Sequence, residues 1–317
     1  MAGVTATNDV MAAHERRLAA LDPLLRRTQP FPEPGQDEVV LTTDGGLALL
    51  RRQRPDPDSF VATWGAAERH QLSIRVAGPD PRCAMSDLLV QARHRVMPQA
   101  GDEPDSEVLV NWPSRDTAMT PTLLGHGLVP ATVIAARPAV RPTPAAPASP
   151  RVRPIEPGDL DTAAGLWLEQ VRWDAQFGSA TERTSTAAAI ASELRDVLDG
   201  HPSWAWVAES AGTVAGLLVV QPPERTDWIA KLTSASPAAY LSCLGVTVGQ
   251  RGGGLGAALV GTAHAALDAA GVAVTLLHYA ALNPLSAPFW HRCGYRPLWT
   301  TWHARPAATF RLPPQPG

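Results

Sequence analysis

A proline-rich segment in the middle of the chain limits how this sequence can fold. Residues 137–150 read Arg-Pro-Ala-Val-Arg-Pro-Thr-Pro-Ala-Ala-Pro-Ala-Ser-Pro. Proline lacks a backbone N–H and fixes its own φ angle, so such a run favours a semi-rigid extended spacer over a helix or an internal strand. The sequence therefore predicts a linker here. It separates an N-terminal domain, residues 1–136, from a C-terminal domain, residues 151–307, and residues 308–317 form a tail.

Composition and charge restrict the kinds of partner. The 317 residues are 45% hydrophobic, and 27 basic against 30 acidic residues give a net charge of −3. A nucleic-acid or anionic-membrane partner normally requires a basic excess. The N-terminus does not read as a signal sequence, and no run of about 18 apolar residues occurs. We therefore expect a cytoplasmic protein that binds neither nucleic acid nor membrane, and we leave a homodimer open.

The three cysteines, Cys83, Cys243 and Cys293, are widely spaced. Their spacing matches neither a disulfide framework nor a metal-binding cluster, so we expect a protein without a metal ion.

The C-terminal domain mixes strands and helices. Apolar residues recur at helical spacing after Pro157 and between Leu255 and Gly271, whereas residues 240–246 and 272–277 have the pattern of buried strands. The predicted order is β-α-α-β-β-β-α-β-α-β. This order favours an α/β fold of the α+β type, with helices packed against one mixed central sheet.

The N-terminal domain shows a weaker form of the same order. The predicted elements are a hairpin at 38–50, helices at 60–68, 84–96 and 118–124, and strands at 72–76, 108–110 and 132–135. At an offset of 167 residues, Pro121, Gly127 and Pro130 align with Pro288, Gly294 and Pro297. The shared order favours a duplicated fold, and two unrelated domains are the alternative.

The most informative run is Leu244-Gly-Val-Thr-Val-Gly-Gln-Arg-Gly-Gly-Gly-Leu-Gly256, which passes from a predicted strand into a predicted helix. Glycines let the backbone approach a ligand, and the first turn of a helix offers unpaired N–H groups at the positive end of its dipole. The run therefore predicts a phosphate-binding loop to which Arg251 adds a charge. It lacks the ending of a Walker loop and the spacing of a dinucleotide fingerprint. A glycine-rich turn without a ligand is the alternative.

A second motif follows downstream, in the run Asn283-Pro-Leu-Ser-Ala-Pro-Phe-Trp-His-Arg-Cys-Gly-Tyr295. This pattern consists of an Asn, an aromatic residue seven positions later, and then a Gly followed by an aromatic residue. Together with Arg-x-x-Gly-x-Gly at 251–256, it resembles the Gcn5-related N-acetyltransferase (GNAT) superfamily. The resemblance covers about 151–307 and suggests the tandem-domain type, with two GNAT-like domains.

The resemblance implies a splayed sheet, in which the strands at 240–246 and 272–277 part and acetyl-CoA lies between them. The main chain of Leu244, Gly245 and Val246 would pair with the pantetheine amides. Asn283 would contact the pantetheine arm, and Trp290 would also belong to the cofactor-binding residues. The residues that would cradle the pyrophosphate are Arg251, Gly252, Gly253, Gly254, Leu255, Gly256 and Ala257. In this family an amine attacks the thioester directly, with a base for its proton and an acid for the leaving thiolate.

One position departs from the family pattern. Trp290 stands where the resemblance implies a tyrosine acid, and an indole N–H does not release a proton at neutral pH. Either water or Tyr279 would then protonate the thiolate. His278 is the candidate base because its unperturbed pKa of about 6.5 suits proton removal, although a packed strand-end histidine is the alternative. Tyr240 would orient a water or the substrate.

The acceptor side offers weaker signals. Asp174, with Glu169, lies near where the resemblance implies acceptor entry, and a carboxylate there either holds a cationic amine or is a solvated helix residue. Trp173 and Trp228 would wall an aromatic acceptor site. We expect a small-molecule amine as acceptor. The alternatives are a non-catalytic CoA-binding or scaffold protein of the same fold and a protein N-terminal acetyltransferase.

The N-terminal domain has no glycine loop at the equivalent place. Its sequence there is Val76-Ala-Gly-Pro-Asp-Pro-Arg-Cys-Ala84, and prolines supply no N–H donors to a phosphate. We therefore expect a degenerate GNAT-like domain without cofactor.

Overall fold

The computed structural model describes residues 2–25, 31, 34–35, 38–139 and 151–313. Most of the predicted linker, residues 140–150, lies outside the described residues, as do residues 314–317 of the predicted tail. The chain forms two compact units. The first comprises Met1–Pro55, Gly65–Val133 and Pro297–Gly317, and the second comprises Asp56–Trp64 and Ile134–Arg296.

The elements follow the mixed order that the sequence predicts. The helices are α1 (Ala2–Leu21), α2 (Pro81–Ala100), α3 (Thr120–Gly125), α4 (Leu160–Ala175), α5 (Thr186–Gly200), α6 (Asp227–Ala230), α7 (Leu255–Ala269) and α8 (Ser286–Arg292). The strands are β1 (Glu38–Thr43), β2 (Gly46–Gln53), β3 (Glu68–Val76), β4 (Ser106–Pro113), β5 (Val129–Pro138), β6 (Arg151–Pro154), β7 (Ala205–Ser210), β8 (Thr213–Gln221), β9 (Ala238–Val246), β10 (Val274–Ala280) and β11 (Arg296–Ala304). Among the described residues, none of the helices is both long and apolar enough to cross a membrane.

In the first unit, the sheet runs β1-β2-β3-β4-β11. β3 and β4 are parallel, and the other neighbours are antiparallel. The apolar face of α2 packs against β1, β2 and β3, and Met85, Leu88 and Leu89 are fully buried in the core that forms there. Phe310, in the predicted tail, is also fully buried in this core. Residues 308–313 are therefore part of the packed unit.

In the second unit, the sheet runs β10-β9-β8-β7-β6, with β9 and β10 parallel and the other neighbours antiparallel. Side chains of α4 and α5 pack with β7, β8 and β9 around the fully buried Leu194 and Trp167. Both units are thus mixed sheets flanked by helices, as the sequence predicts.

Each unit also contains a strand from the other side of the linker. β11 pairs with β4 in the first unit, from Trp299 opposite Pro113 to Ala304 opposite Val108. The end of β5 lies beside β10 in the second unit, where Ala139 N–H donates to Ala273 O at 2.9 Å. Arg137 pairs with Asp268 of α7 at 3.0 Å. The predicted bounds at 136 and 307 therefore divide the sequence differently from the compact units.

Two local expectations differ from the structure. The predicted helix at 60–68 is a short 3₁₀ turn, Phe60–Thr63, and Glu68 begins β3. Phe60 and Trp64 pack against the core that contains α4 and α5, whereas Val61 is exposed. The N-terminal helix α1 was not expected from the sequence.

Candidate active site

The site begins where two parallel strands stop pairing. β9 and β10 pair from Ala238 opposite Val274 to Leu241 opposite Leu277. Beyond this point β9 continues to Val246 and β10 to Ala280. The register between β8 and β9 shifts at the same place, which makes Ser242 the extra residue of a β-bulge. Because a bulge bends its strand and increases the local twist, the two strands diverge.

The free edge of β9 faces this opening. Thr247 N–H donates to Ala215 O at 2.9 Å. In an antiparallel ladder the next residue pair, Val246 and Gly216, then directs its backbone groups away from the partner strand. The N–H and C=O of Val246 therefore point towards the gap between β9 and β10.

A cleft of about 680 Å³ occupies this gap. The predicted site residues that line it are Trp173, Asp174, Leu244, Gly245, Val246, Arg251, Gly252, Gly254, Leu255, Gly256, Ala257, His278, Tyr279, Asn283 and Trp290. Gly253, Tyr240 and Trp228 are not among the lining residues. Gln170, Phe289 and Arg292 line the cleft without having been predicted. The i to i+4 spacing of Gln170 and Asp174 on α4 was the available signal for Gln170.

The glycine loop ends at the start of α7. Ala258 N–H donates to Gly254 O at 2.9 Å, so the N–H groups of Leu255, Gly256 and Ala257 precede the first intrahelical bond. No side chain caps this end. Gly252 and Gly254 have φ of +83° and +87°, and a Cβ added to either would meet nothing within 4 Å. The loop is therefore an open cradle of N–H donors that fits a phosphate group.

Arg251 does not point into that cradle. Its Nε donates to Val246 O at 3.1 Å, and its guanidinium lies 5.0 Å from the centroid of the Trp173 ring. The side chain thus covers the free edge of β9. Contact with a pyrophosphate in the cradle would require it to leave both partners.

Asp174 is held at the end of α4 and faces the cleft. Its carboxylate accepts a hydrogen bond from Gln170 Nε2 at 2.6 Å and one from Asn283 Nδ2 at 3.4 Å. Burial raises the pKa of Asp174 above the ordinary value of an aspartate, against these hydrogen bonds and the charge of Arg251. Its conjugate base is therefore stronger than that of a solvated aspartate.

An aromatic cluster joins β9 and β10 beside the cleft. The Tyr240 hydroxyl hydrogen-bonds His278 Nδ1 at 3.0 Å. The Trp228 ring lies parallel to that of His278, with centroids 6.2 Å apart, and edge-on to that of Tyr240 at 4.9 Å. Burial lowers the pKa of His278 to about 4 and raises that of Tyr240. His278 is therefore a neutral imidazole at pH 7.

Three further side chains line the cleft. Tyr279 is 6% exposed, and burial raises its pKa, so its phenol stays protonated at neutral pH. Trp290 packs edge-on against Phe289 and Tyr295, at 5.0 and 5.3 Å. Ser242 Oγ is buried without a hydrogen-bond partner among the described residues. Because an unpaired buried hydroxyl costs about 1–3 kcal/mol, its place on the cleft wall fits a ligand with a polar group.

Comparison with protein families agrees with this geometry. Residues 168–295 match the model of the Acetyltransferase (GNAT) family. The chain carries a GNAT acetyltransferase domain. GNAT proteins catalyse acyl transfer, and the matched residues include the glycine loop and both strands of the cleft.

A solved GNAT structure shares the fold over nearly the whole chain. The GCN5-related N-acetyltransferase from Sphaerobacter thermophilus has a TM-score of 0.61 at 16% identity, and the match covers 95% of this chain and 94% of that one. A tandem GNAT protein from the clavulanic acid biosynthesis pathway gives 0.44 at 14% identity, with 96% and 95% covered. A GCN5-related N-acetyltransferase from Kribbella flavida gives 0.43 at 15% identity, with 94% of both chains covered. A comparison with curated proteins gave no significant match.

The first unit has the strand separation of the GNAT domain, but its gap is filled. β3 and β4 pair only as far as Leu72 opposite Val110. The imidazole Nδ1 of His14, on α1, lies 3.2 Å from Val76 O and 3.4 Å from Val76 N. Ala77 N–H donates to Gly45 O at 2.8 Å, so the backbone groups of Val76 point towards the gap as those of Val246 do.

Two charged side chains complete the filling of the first gap. Arg17 of α1 forms a forked ion pair with Asp116 at 2.6–2.9 Å. The indole N–H of Trp112, which is 2% exposed, donates to the same carboxylate at 3.1 Å. Side chains of α1 and β4 thus fill the gap beside Val76, whereas the equivalent edge at Val246 is contacted by Arg251 and borders the cleft.

Among the described residues, His, Cys, Asp and Glu do not form a group of three or more that could hold a metal ion.

Proposed function

We propose that the second unit transfers an acetyl group from acetyl-CoA to the amine of a small-molecule acceptor. The observation that carries this proposal is the meeting of three features in one cleft. These features are the free edge of β9, the open N–H cradle at the start of α7, and a carboxylate with a raised pKa at Asp174. The first two suit an acyl-CoA, and the third suits an amine.

The residues present fit an acyl-CoA thioester. Gly252 and Gly254 leave room for a pyrophosphate, and the N–H groups of Leu255, Gly256 and Ala257 would bind it. The backbone of Val246 would pair with an amide of the pantetheine arm, and the Ser242 hydroxyl would gain its missing partner. When bound, acetyl-CoA supplies an acyl group activated as a thioester.

Residues of this chain would bind the acceptor amine and accept its proton. Asp174 would hold the acceptor as an ammonium ion and take its proton, since burial makes this carboxylate a stronger base than an ordinary aspartate. His278, the base expected from the sequence, is a weaker one because its pKa is lowered to about 4. We assign to His278 and Tyr240 the orientation of the acceptor or a water.

The leaving thiolate would receive its proton from Tyr279 or water. Tyr279 lines the cleft as a protonated phenol, whereas the indole of Trp290 does not release its N–H proton at neutral pH. Trp290 would serve as an apolar wall.

Calorimetry with acetyl-CoA followed by turnover on a panel of amines tests this proposal. We expect binding of one acetyl-CoA per chain, and release of CoA with at least one amine. Absence of acetyl-CoA binding to folded protein contradicts the assignment of the cleft.

A pH–rate profile distinguishes the two bases. We expect the acidic limb of kcat/KM to disappear in Asp174→Asn and to persist in His278→Ala. The reverse pattern would restore His278 as the base.

A non-catalytic acyl-CoA-binding protein is the second candidate. The packing of Trp290 between Phe289 and Tyr295 favours it, because the family's usual tyrosine acid is replaced by a fixed apolar ring. Binding of acetyl-CoA without CoA release across the whole amine panel would select this candidate.

A further inference from the structure

A short segment from between β2 and β3 packs on the second unit. Residues 56–64, here called the clamp, belong to that unit although the strands on either side belong to the first. The clamp contacts residues 176–185, the α4–α5 loop. Thr181 N–H donates to Thr63 O at 2.8 Å, and Arg183 Nε donates to Ala62 O at 2.7 Å.

Further contacts fix the clamp at both ends. Ser185 Oγ donates to Pro57 O at 2.7 Å. The hydroxyls of Thr63 and Thr186, each 1% exposed, share a hydrogen bond of 3.0 Å. The ring of Phe60 lies edge-on to that of the buried Trp167 of α4, with centroids 5.4 Å apart. Because these contacts are spread over the whole clamp and are partly buried, they hold the α4–α5 loop in one place.

The α4–α5 loop in turn supports two residues of the cleft. Ser179 Oγ donates to the backbone carbonyl of Asp174 at 3.1 Å, and Phe177 N–H donates to the same carbonyl at 3.0 Å. The Phe177 ring packs edge-on to Trp173 at 5.7 Å. A displaced loop would therefore move the last turn of α4, on which Trp173 and Asp174 lie.

The glycine loop is supported by other elements. Thr247 N–H bonds Ala215 O of β8, and the Ser210 hydroxyl bonds the Gln250 side chain at 3.2 Å. Two contacts join the end of α4 to other parts of the cleft: the Arg251 guanidinium lies over Trp173, and Asn283 Nδ2 donates to Asp174 at 3.4 Å. A change at the clamp should therefore reach the acceptor side more strongly than the phosphate side.

We propose that the clamp is a positioning segment for the acceptor side of the cleft, and that Thr63 acts on acceptor binding through the α4–α5 loop and Asp174. This inference rests on the proposed function for its kinetic consequence, but not for its structural one. It assigns a role in the reaction to a segment of the N-terminal half.

Thr63→Val in the full chain tests the structural part. Valine keeps the shape of threonine and removes the bond to Thr186. The control is Thr300→Val, which removes a similar hydroxyl pair with Ser114, 2.9 Å long, in the first unit. We expect amide hydrogen exchange of residues 174–186 to accelerate about fivefold in Thr63→Val and to stay unchanged in Thr300→Val. Unchanged exchange in both variants overturns the proposal.

Steady-state kinetics with an amine that turns over test the functional part. We expect Thr63→Val to raise the acceptor KM about fivefold, to leave the Kd of acetyl-CoA within about twofold, and Thr63→Ser to restore the KM. In an Asp174→Asn background the effect of Thr63→Val should vanish, because the two changes act on one path. The proposal is overturned if Thr63→Val raises the acceptor KM equally in both backgrounds, or if it weakens acetyl-CoA binding as much as acceptor binding.

The two readouts separate this inference from the proposed function. Faster exchange of the loop together with no turnover of any amine contradicts the proposed transfer reaction and leaves the clamp as a positioning segment for ligand contact at Asp174. If amide exchange of residues 174–186 in Thr63→Val stays as slow as in the unsubstituted protein while turnover is normal, the role of the clamp is contradicted and the proposed reaction is not.

Discussion

The two units contain the same gap between parallel strands and use it in opposite ways. In the first, His14 contacts the free backbone of Val76, and Arg17 and Trp112 converge on Asp116. In the second, the Arg251 side chain contacts the equivalent edge at Val246, and Asn283 meets Asp174 across an open cleft. The splayed sheet alone therefore does not make a binding site, because side chains from the preceding helix determine whether the gap stays open.

The loops that follow Val246 and Val76 also differ in whether their backbone N–H groups are free to bind a ligand. The second unit continues into Gly252–Gly254 and an uncapped helix start, whereas the first continues through Pro79 and Pro81 into α2. There Asp80 caps the helix by accepting the N–H groups of Arg82 and Cys83. The donors that could bind a phosphate are thus already used in the first unit.

The largest effect should come from a substitution of Asp174, the carboxylate with a raised pKa in the cleft of the second unit. Asp174→Asn should lower kcat by about a hundredfold or more, since general-base contributions are of that order. The control is Glu169→Gln, another cleft carboxylate on the same helix, for which we expect less than about a threefold change. Turnover of both variants at saturating acetyl-CoA measures this. An equal loss of kcat in the two variants would mean that turnover depends on negative charge near the cleft and not on Asp174 as a base.

The same residue predicts a pH dependence. Because the pKa of Asp174 is raised in the folded protein, its ionisation opposes folding. The protonated carboxyl group contributes stability at pH values below its pKa in the unfolded chain. This stability is lost as the pH rises through its pKa in the folded protein. The melting temperature of Asp174→Asn relative to the unsubstituted protein should therefore increase from pH 4 to pH 7. A difference that is constant with pH would contradict the burial of this carboxyl group.

A second prediction compares the two loops. Gly254→Trp should weaken acetyl-CoA binding about a hundredfold, because the side chain would occupy the phosphate cradle. Gly78→Trp is the matched control, since Gly78 also has a positive φ, +85°, and open space around an added Cβ. Both variants carry the same backbone strain. Calorimetry should show normal affinity in Gly78→Trp. Weak binding in that variant would place an acyl-CoA site in the first unit.

A third prediction concerns the filled gap. Arg17→Ala leaves the carboxylate of Asp116, 5% exposed, without its ion-pair partner, and should destabilise the first unit by about 2–4 kcal/mol. Chemical denaturation measures the loss, and acetyl-CoA affinity is expected to stay unchanged. A gain of a second acetyl-CoA per chain would show instead that this ion pair closes a usable site.

The smallest effect should come from Arg251. Arg251→Ala should weaken acetyl-CoA binding only about fivefold, because a phosphate contact of this residue replaces its existing contacts with Val246 O and Trp173. The control is Arg195→Ala, an exposed arginine of α5. Binding at low and high salt measures the difference between them. A loss as large as that of Gly254→Trp would mean that the arginine, rather than the backbone, supplies most of the phosphate affinity.

The GNAT domain was predictable because its signals are local. The run at 244–256 and the motif from Asn283 to Tyr295 place their residues on adjacent elements, and the structure brings most of them to one cleft. Tyr240 and Trp228 were placed in the site by sequence, yet they lie beside the cleft and reach it through His278. The direction of the His278 pKa could not be read from the sequence, because it comes from burial by residues such as Trp228.

The mixed α/β architecture, the glycine loop and the GNAT motifs can be read from the sequence, because strand and helix periodicity and glycine chemistry act over a few residues. Which of the two gaps is open depends on contacts between distant segments. His14 meets Val76 across 62 positions, Thr63 meets Thr186 across 123, and β11 pairs with β4 across the linker. The local sequence pattern of one segment does not specify its distant partner, because these contacts depend on which segments the tertiary fold brings together.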